Sequence, residues 1–231
     1  MTQGEIGFAL QNSMQMAFRK HGINRPVVTI VTQVVVDKND LAFQRPTKPI
    51  GPFYSKETAE RKRKDLGWSI IEDAARGYRR VVPSPLPMDI VELEVIKDCL
   101  ERNIVVITVG GGGVPVIYED GEVKGIEAVI DKDRASALLA VKLGIEHFII
   151  STEVSEVYVN FKKPNQYKLR SITIAEAKKH FADGQFSEGS MKPKIEAAMD
   201  FLNNGGKIVT ITDPEHLITA LDGEAGTRIT K

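Results

Sequence analysis

The 231 residues predict an α/β protein: a three-layer α/β/α sandwich built on a mainly parallel open sheet, with a small protruding subdomain. Three observations carry this. Apolar β-branched runs alternate with segments of helical periodicity, the pattern of βαβ units. Those runs are nearly continuous in apolar residues, as strands covered on both faces are. A polar, proline-marked stretch over 45–82 breaks the alternation and reads as an excursion within one 1–231 domain.

The elements follow in order. Ile6, Leu10, Met14, Ala17 and Phe18 recur at helical spacing and predict an amphipathic helix over 3–20. The run Val27 to Val36 predicts one buried strand. Within the excursion, Ser55 can cap a charged helix over 56–66, and Trp68 to Ile71 and Arg79 to Val82 read as short strands. Beyond it, 88–102 suits a helix and Ile104 to Val109 a strand; Lys132 to Leu143 is a helix stopped by Gly144. His147 to Ser151 is a strand, and 173–182 and 190–203 are helices, the second ended by Gly205-Gly206. Ile208 to Ile211 is a strand and 214–221 a short helix.

Composition narrows the function. Lys+Arg and Asp+Glu both number 31, so there is no basic surplus for a nucleic acid partner. The single cysteine, Cys99, cannot form an internal disulfide or a structural zinc site, and the four histidines show no metal-type pairing. No apolar run approaches the ~18 residues of a membrane span, and the first residues lack the basic and apolar regions of a signal peptide. A cytoplasmic protein with no membrane or nucleic acid partner is expected.

The chemistry-bearing residues gather at strand ends and helix starts. Gly110, Gly111, Gly112 and Gly113 follow a strand directly, where open α/β sheets bind ligands, and could bring backbone N–H groups against an anion. The plain alternative is a tight turn. The loop is neither a dinucleotide fingerprint nor a Walker-type phosphate loop, since no helix follows and no Gly-Lys-Ser/Thr occurs. Asp131 and Asp133 suit the start of a helix, but Lys132 between them opposes the helix dipole unless an anion is bound there. Lys192 and Lys194, flanking Pro193, repeat that violation in a second helix. Lys48 sits among Pro46, Pro49 and Pro52, where it is either part of a stiff connector or a clamp. Tyr158 and Phe161 follow a strand and suit either the core or a pocket for a flat ring.

Taken together, these segments resemble carbamate kinase, a branch of the amino-acid kinase superfamily. The resemblance lies in Thr32-Gln33-Val34-Val35-Val36-Asp37, Pro46-Thr47-Lys48-Pro49-Ile50-Gly51-Pro52, Val81-Val82-Pro83-Ser84-Pro85, the glycine loop with Val114-Pro115-Val116, Val129-Ile130-Asp131-Lys132-Asp133, and Gly189-Ser190-Met191-x-Pro193-Lys194. It implies an amino-acid kinase fold, a homodimer, and reversible phosphoryl transfer between ATP and carbamate, with magnesium, at the end of arginine fermentation. It implies that Lys48 contacts the transferring group, Lys132 the nucleotide phosphates, that Asp133 holds the lysines and that Lys194 stabilises charge. Met191 and Pro193, with Val154, Tyr158 or Phe161, would enclose adenine, although Ser155-Glu156 departs from the usual turn. No dedicated protein metal site is expected.

The resemblance also implies a first segment, with a Leu-Gly-Gly-Asn-type turn and a Gly-Asn-Gly segment, that these residues do not contain. On that reading the 231 residues alone are expected to be unstable, aggregating or inactive. The alternative function is a non-catalytic remnant that binds nucleotide or dimerises. A relative acting on an acetylglutamate-type acid is a third reading, against which the Pro-Thr-Lys-Pro stretch speaks.

Overall fold

The computed structural model describes residues 2–73, 76–111, 114–187 and 190–231. The chain divides into two compact units, Met1–Lys132 and Asp133–Lys231. The first contains α1 (Thr2–Lys20), β1 (Val27–Thr29), β2 (Gln33–Val35), β3 (Lys48–Tyr54), α2 (Lys56–Leu66), β4 (Ile70–Glu72), β5 (Tyr78–Val82), β6 (Asp89–Ile90), α3 (Leu93–Glu101), β7 (Val105–Ile107), β8 (Val114–Glu119) and β9 (Glu122–Gly125). At the unit boundary α4 (Lys132–Lys142) begins. The second unit continues with β10 (His147–Ser151), β11 (Val157–Val159), β12 (Tyr167–Leu169), β13 (Ser171–Thr173), α5 (Ile174–Ala182), α6 (Met191–Asn203), β14 (Ile208–Thr212), α7 (Leu217–Leu221) and β15 (Thr227–Thr230).

In the first unit β1 pairs in parallel with β7, and α1 and α3 pack on this pair. A four-stranded sheet has the order β6-β2-β8-β9, with β2 and β8 parallel. The predicted single strand over Val27 to Val36 is therefore two. It breaks at Ile30-Val31-Thr32, where the chain leaves β7 and takes β8 as its neighbour. The Thr32 hydroxyl donates to the Ile30 carbonyl at 2.9 Å and stabilises the break. The predicted α1 forms, but Ile6 and Leu10 stay about half exposed, at 52% and 48%, while Gly7 is the buried residue. A Cβ at Gly7 would collide with Thr29, whose hydroxyl donates to the Gly7 carbonyl at 2.9 Å. The glycine allows the helix to sit directly on the strand.

The 45–82 stretch builds its own antiparallel sheet, β3-β5-β4, with α2 against β5. Ser55 caps α2 by accepting the Thr58 N–H, and Gly67 closes it at φ +65°. Trp68 lies between two cations: the Lys62 Nζ and the Arg80 guanidinium are each 4.7 Å from its ring centroid.

The second unit is organised on the sheet β10-β14-β15-β13. β10 runs parallel to β14 and β13 parallel to β15, while β14 and β15 are antiparallel. The sequence pattern anticipates parallel strands, and they are present in both units. Antiparallel partners are added by the short elements β6, β9, β12 and β15. The core of this unit joins Ala137 and Ala140 of α4, Ile150, Val209, Ile211 and Ile229 of the sheet, and Ile195, Ala197, Ala198, Phe201 and Leu202 of α6. α5 begins with a complete capping box between Thr173 and Glu176.

Candidate active site

In the first unit, Lys48 opens β3 opposite Val82 on β5, so a backbone ladder fixes the start of the proline-rich segment. Its Nζ lies 2.6 Å from the Asp131 carboxylate. Asp131 is 5% exposed, immediately before α4. Carrying a carboxylate that deep is costly without a counter-charge, and Lys48 supplies one while keeping a third of its own side chain exposed.

Lys132, the next residue, is exposed and opens α4. The described part of the glycine loop lies beside it: a Cβ placed on Gly111 would be 3.9 Å from both Cβ and Cδ of Lys132. Gly110 takes φ +80°, a conformation that glycine adopts at little cost. Gly112 and Gly113 lie outside the described residues.

In the second unit, Asp133 is 6% exposed in the first turn of α4. It accepts from Lys194 Nζ at 2.9 Å. Lys194 is itself 9% exposed, in the first turn of α6 between Pro193 and Ile195. Favouring the helix dipole does not account for Asp133 by itself, because a surface residue would do that without burial. A buried lysine bonded to a buried carboxylate has its ammonium held in a fixed direction.

The residues assigned to adenine belong to this unit as well. Tyr158, in β11, and Phe161 have ring centroids 5.9 Å apart at 40°. Phe161 is 47% exposed, with Lys162 Nζ 5.5 Å from its centroid. Val154 is half-buried in the turn before β11. Met191 packs in part against the core of the unit, and Pro193 is half-buried in the first turn of α6. The departure at Ser155-Glu156 has a physical reason. Glu156 is buried and accepts from Ser155 and from Lys168 at 3.1 Å, with Arg170 at 4.0 Å. The Ser155 hydroxyl first, then Lys168 and Arg170, outweigh burial and hold its carboxyl below the usual 4.5.

Sequence reasoning singled out Lys48, Lys132, Asp133 and Lys194 but treated Asp131 only as a helix cap. The available signal was the pair of aspartates bracketing one lysine, which offers two carboxylates to other cations. Two further residues went unassigned. Thr32 is fully buried against the exit of β7, and Glu92 receives both the backbone N–H and the side-chain amide of Gln33, at 2.8 and 2.9 Å.

The sequence matches the Amino acid kinase family over residues 11–213. It is 48% identical over 231 residues to carbamate kinase of Thermococcus kodakarensis, covering 100% of this chain and 73% of that protein. It is 50% identical over 232 residues to carbamate kinase of Staphylococcus haemolyticus, covering 100% and 75%. The chain belongs to the carbamate kinases of the amino acid kinase family. Among solved structures, the fold matches Giardia lamblia carbamate kinase bound to AMP-PNP with a TM-score of 0.89 at 42% identity, covering 100% of this chain and 73% of that one. The same enzyme bound to citric acid matches with a TM-score of 0.93 at 41% identity and the same coverage. An N-acetylglutamate synthase from Neisseria gonorrhoeae, at 16% identity and a TM-score of 0.52, shares the fold alone. The family is one of phosphotransferases, and three of the motifs that suggested it bear the two buried aspartates and their lysine partners.

Proposed function

We propose that the protein catalyses reversible phosphoryl transfer between ATP and carbamate, giving ADP and carbamoyl phosphate, and works as a homodimer in the cytoplasm at the end of arginine breakdown. The observation that supports this most is the pairing of buried aspartates with lysines at the start of α4, Asp131 with Lys48 and Asp133 with Lys194.

Phosphoryl transfer asks little covalent work of a protein and much neutralisation of charge. Lys48 meets the transferring group, and Asp131 fixes the approach of its Nζ. Lys132 projects from a helix start, where backbone N–H groups and the helix dipole add to its attraction for nucleotide phosphates. Lys194 stabilises the charge that develops on the transferring oxygens, and Asp133 holds it in place without accepting the substrate's proton. Gly110 to Gly113 offer backbone N–H groups to the acid-side phosphate. Met191, Pro193, Val154, Tyr158 and Phe161 receive adenine.

In this reading magnesium arrives with the nucleotide. Among the described residues no group of three His, Cys, Asp or Glu side chains is placed to hold a metal, and Asp131 and Asp133 face lysines. Magnesium in such sites is carried chiefly by phosphates and water, and it neutralises phosphate charge.

The purified protein, given carbamoyl phosphate and MgADP, is expected to form ATP. That result would also overturn the expectation that these 231 residues alone are inactive. Lys132→Ala and Lys194→Ala should each lower kcat by at least about 100-fold, the usual scale for removing one preorganised charge-stabilising group. Near-normal rates in either variant would remove its assigned role.

A further inference from the structure

Both ends of the glycine loop are tied to one residue. Val109, the last residue before Gly110, donates its N–H to the Thr32 Oγ1 at 3.0 Å. Val114, the first residue after the loop, donates its N–H to the Thr32 carbonyl at 3.4 Å. Thr32 is fully buried. Its hydroxyl is used to capacity: it donates to the Ile30 carbonyl at 2.9 Å, and its two lone pairs take the Val109 N–H and the Thr108 hydroxyl 2.6 Å away. Its own N–H donates to Gln3 Oε1 at 2.8 Å, which ties the same point to α1.

The anchor holds a strained residue. Val109 is 7% exposed and has φ +52°, a region that β-branched residues rarely occupy. Such strain persists only where the surroundings over-determine it. Beside the described part of the loop there is open space: a Cβ on Gly110 would find no atom within 4 Å, and one on Gly111 would reach the Lys132 side chain at 3.9 Å. The residues flanking the loop on both sides are thus bonded to Thr32.

We propose that Thr32 is a positioning residue for the acid-side substrate. Its hydroxyl fixes Val109 in the left-handed conformation and so aims the N–H groups of Gly110 and Gly111, without touching substrate. The inference rests on the phosphoryl-transfer reading and refines it. Thr32 and the glycine loop belong to the first unit, whereas the adenine residues belong to the second. Loss of the hydroxyl should therefore weaken one substrate and spare the other.

Thr32→Val keeps the shape and removes the hydroxyl. The KM for carbamoyl phosphate is expected to rise about tenfold, the effect of one lost hydrogen bond, with the KM for ADP changed less than about twofold. Thr32→Ser should restore wild-type values. Thr108→Val, which removes only the neighbouring hydroxyl, should raise the carbamoyl phosphate KM a few-fold and provides the test if Thr32→Val does not fold. A merely structural role predicts a lowered kcat or a smaller folded fraction with both KM values unchanged; that result, an equal rise in both, or failure of Thr32→Ser to rescue would overturn the proposal. A second readout does not need turnover. Exchange of the Val109 amide hydrogen, followed by NMR, should speed up about tenfold in Thr32→Val and stay slow in Thr32→Ser. Unchanged exchange overturns the anchor, whereas absence of ATP formation by the wild type with accelerated exchange in Thr32→Val overturns only the phosphoryl-transfer reading.

Discussion

At the residue scale, the pairs at the start of α4 show what a sequence can and cannot disclose. Lys132 and Lys194 are legible because each places a cation in a first helical turn against the dipole, an anomaly visible locally. Which residue pairs with which is not legible from spacing, because the Lys48–Asp131 contact spans 83 residues and the Asp133–Lys194 contact 61; the role of Asp133 came only with the family resemblance, and the pairing of Asp131 was missed. Glu156 was legible only as a departure, and its partners make it a test of burial and charge. Its carboxyl titrates below the usual 4.5 in the folded protein. Between the folded value and the usual one, the unfolded chain binds more protons, so stability rises with pH there. The contribution is present above about pH 4.5 and is lost as the pH falls through the folded value. Urea unfolding between pH 3 and pH 7 should show a smaller acid loss for Glu156→Gln than for the wild type. Equal acid slopes would mean that Ser155, Lys168 and Arg170 do not stabilise this carboxylate.

At the element scale, most helices and the short strands β4 and β5 were readable, but the helix expected over 88–102 begins only at Leu93, because Asp89–Ile90 pairs with β2 as β6, and the shortest strands were not readable. Ser55, Thr173, Gly67 and Gly144 are local stop and start signals, and the helices they bound appear within a residue or two of their expected ends. β6, β9, β12 and β15 have two to four residues each and exist because a neighbour offers a ladder, so no local period announces them. The break between β1 and β2 was hidden for the same reason: an unbroken β-branched run conceals a change of partner. The loop after α6 shows a close approach that composition does not disclose. Gly206 has an ordinary φ, yet a Cβ there would overlap the Phe201 ring. That ring is fully buried and packs on Phe148 with centroids 5.4 Å apart, so it cannot move aside. Gly206→Ala is expected to cost about 1–3 kcal/mol in urea unfolding, the range for overpacking a tight core. A stability unchanged within 0.5 kcal/mol, taken as roughly the noise of a neutral surface change, would show that the Phe201 end of α6 yields.

At the scale of the whole molecule, the assigned roles divide between the units. The first contains the Lys48–Asp131 pair, Lys132, and the glycine loop with its Thr32 anchor; the second contains the Asp133–Lys194 pair and the aromatic and apolar residues assigned to adenine. The chain spans 73% and 75% of the length of the Thermococcus kodakarensis and Staphylococcus haemolyticus carbamate kinases, so a measurement of nucleotide binding that does not depend on turnover has separate value. Any ligand that binds only the folded state raises its stability by mass action, by about 2.7 kcal/mol at one hundred times its Kd. For a protein of this size each kcal/mol moves Tm by about 2–4 °C, so saturating MgADP should raise Tm by about 5–10 °C. Tyr158→Ala and Lys194→Ala should shrink that shift, the first by removing an adenine contact and the second by removing phosphate charge compensation. Thr32→Val should leave it nearly intact, because the Thr32 anchor serves the acid-side substrate. No shift at millimolar MgADP would sink the nucleotide assignment whatever the turnover assay returned, and a shift abolished by Thr32→Val would remove the assignment of the Thr32 anchor to the acid-side substrate.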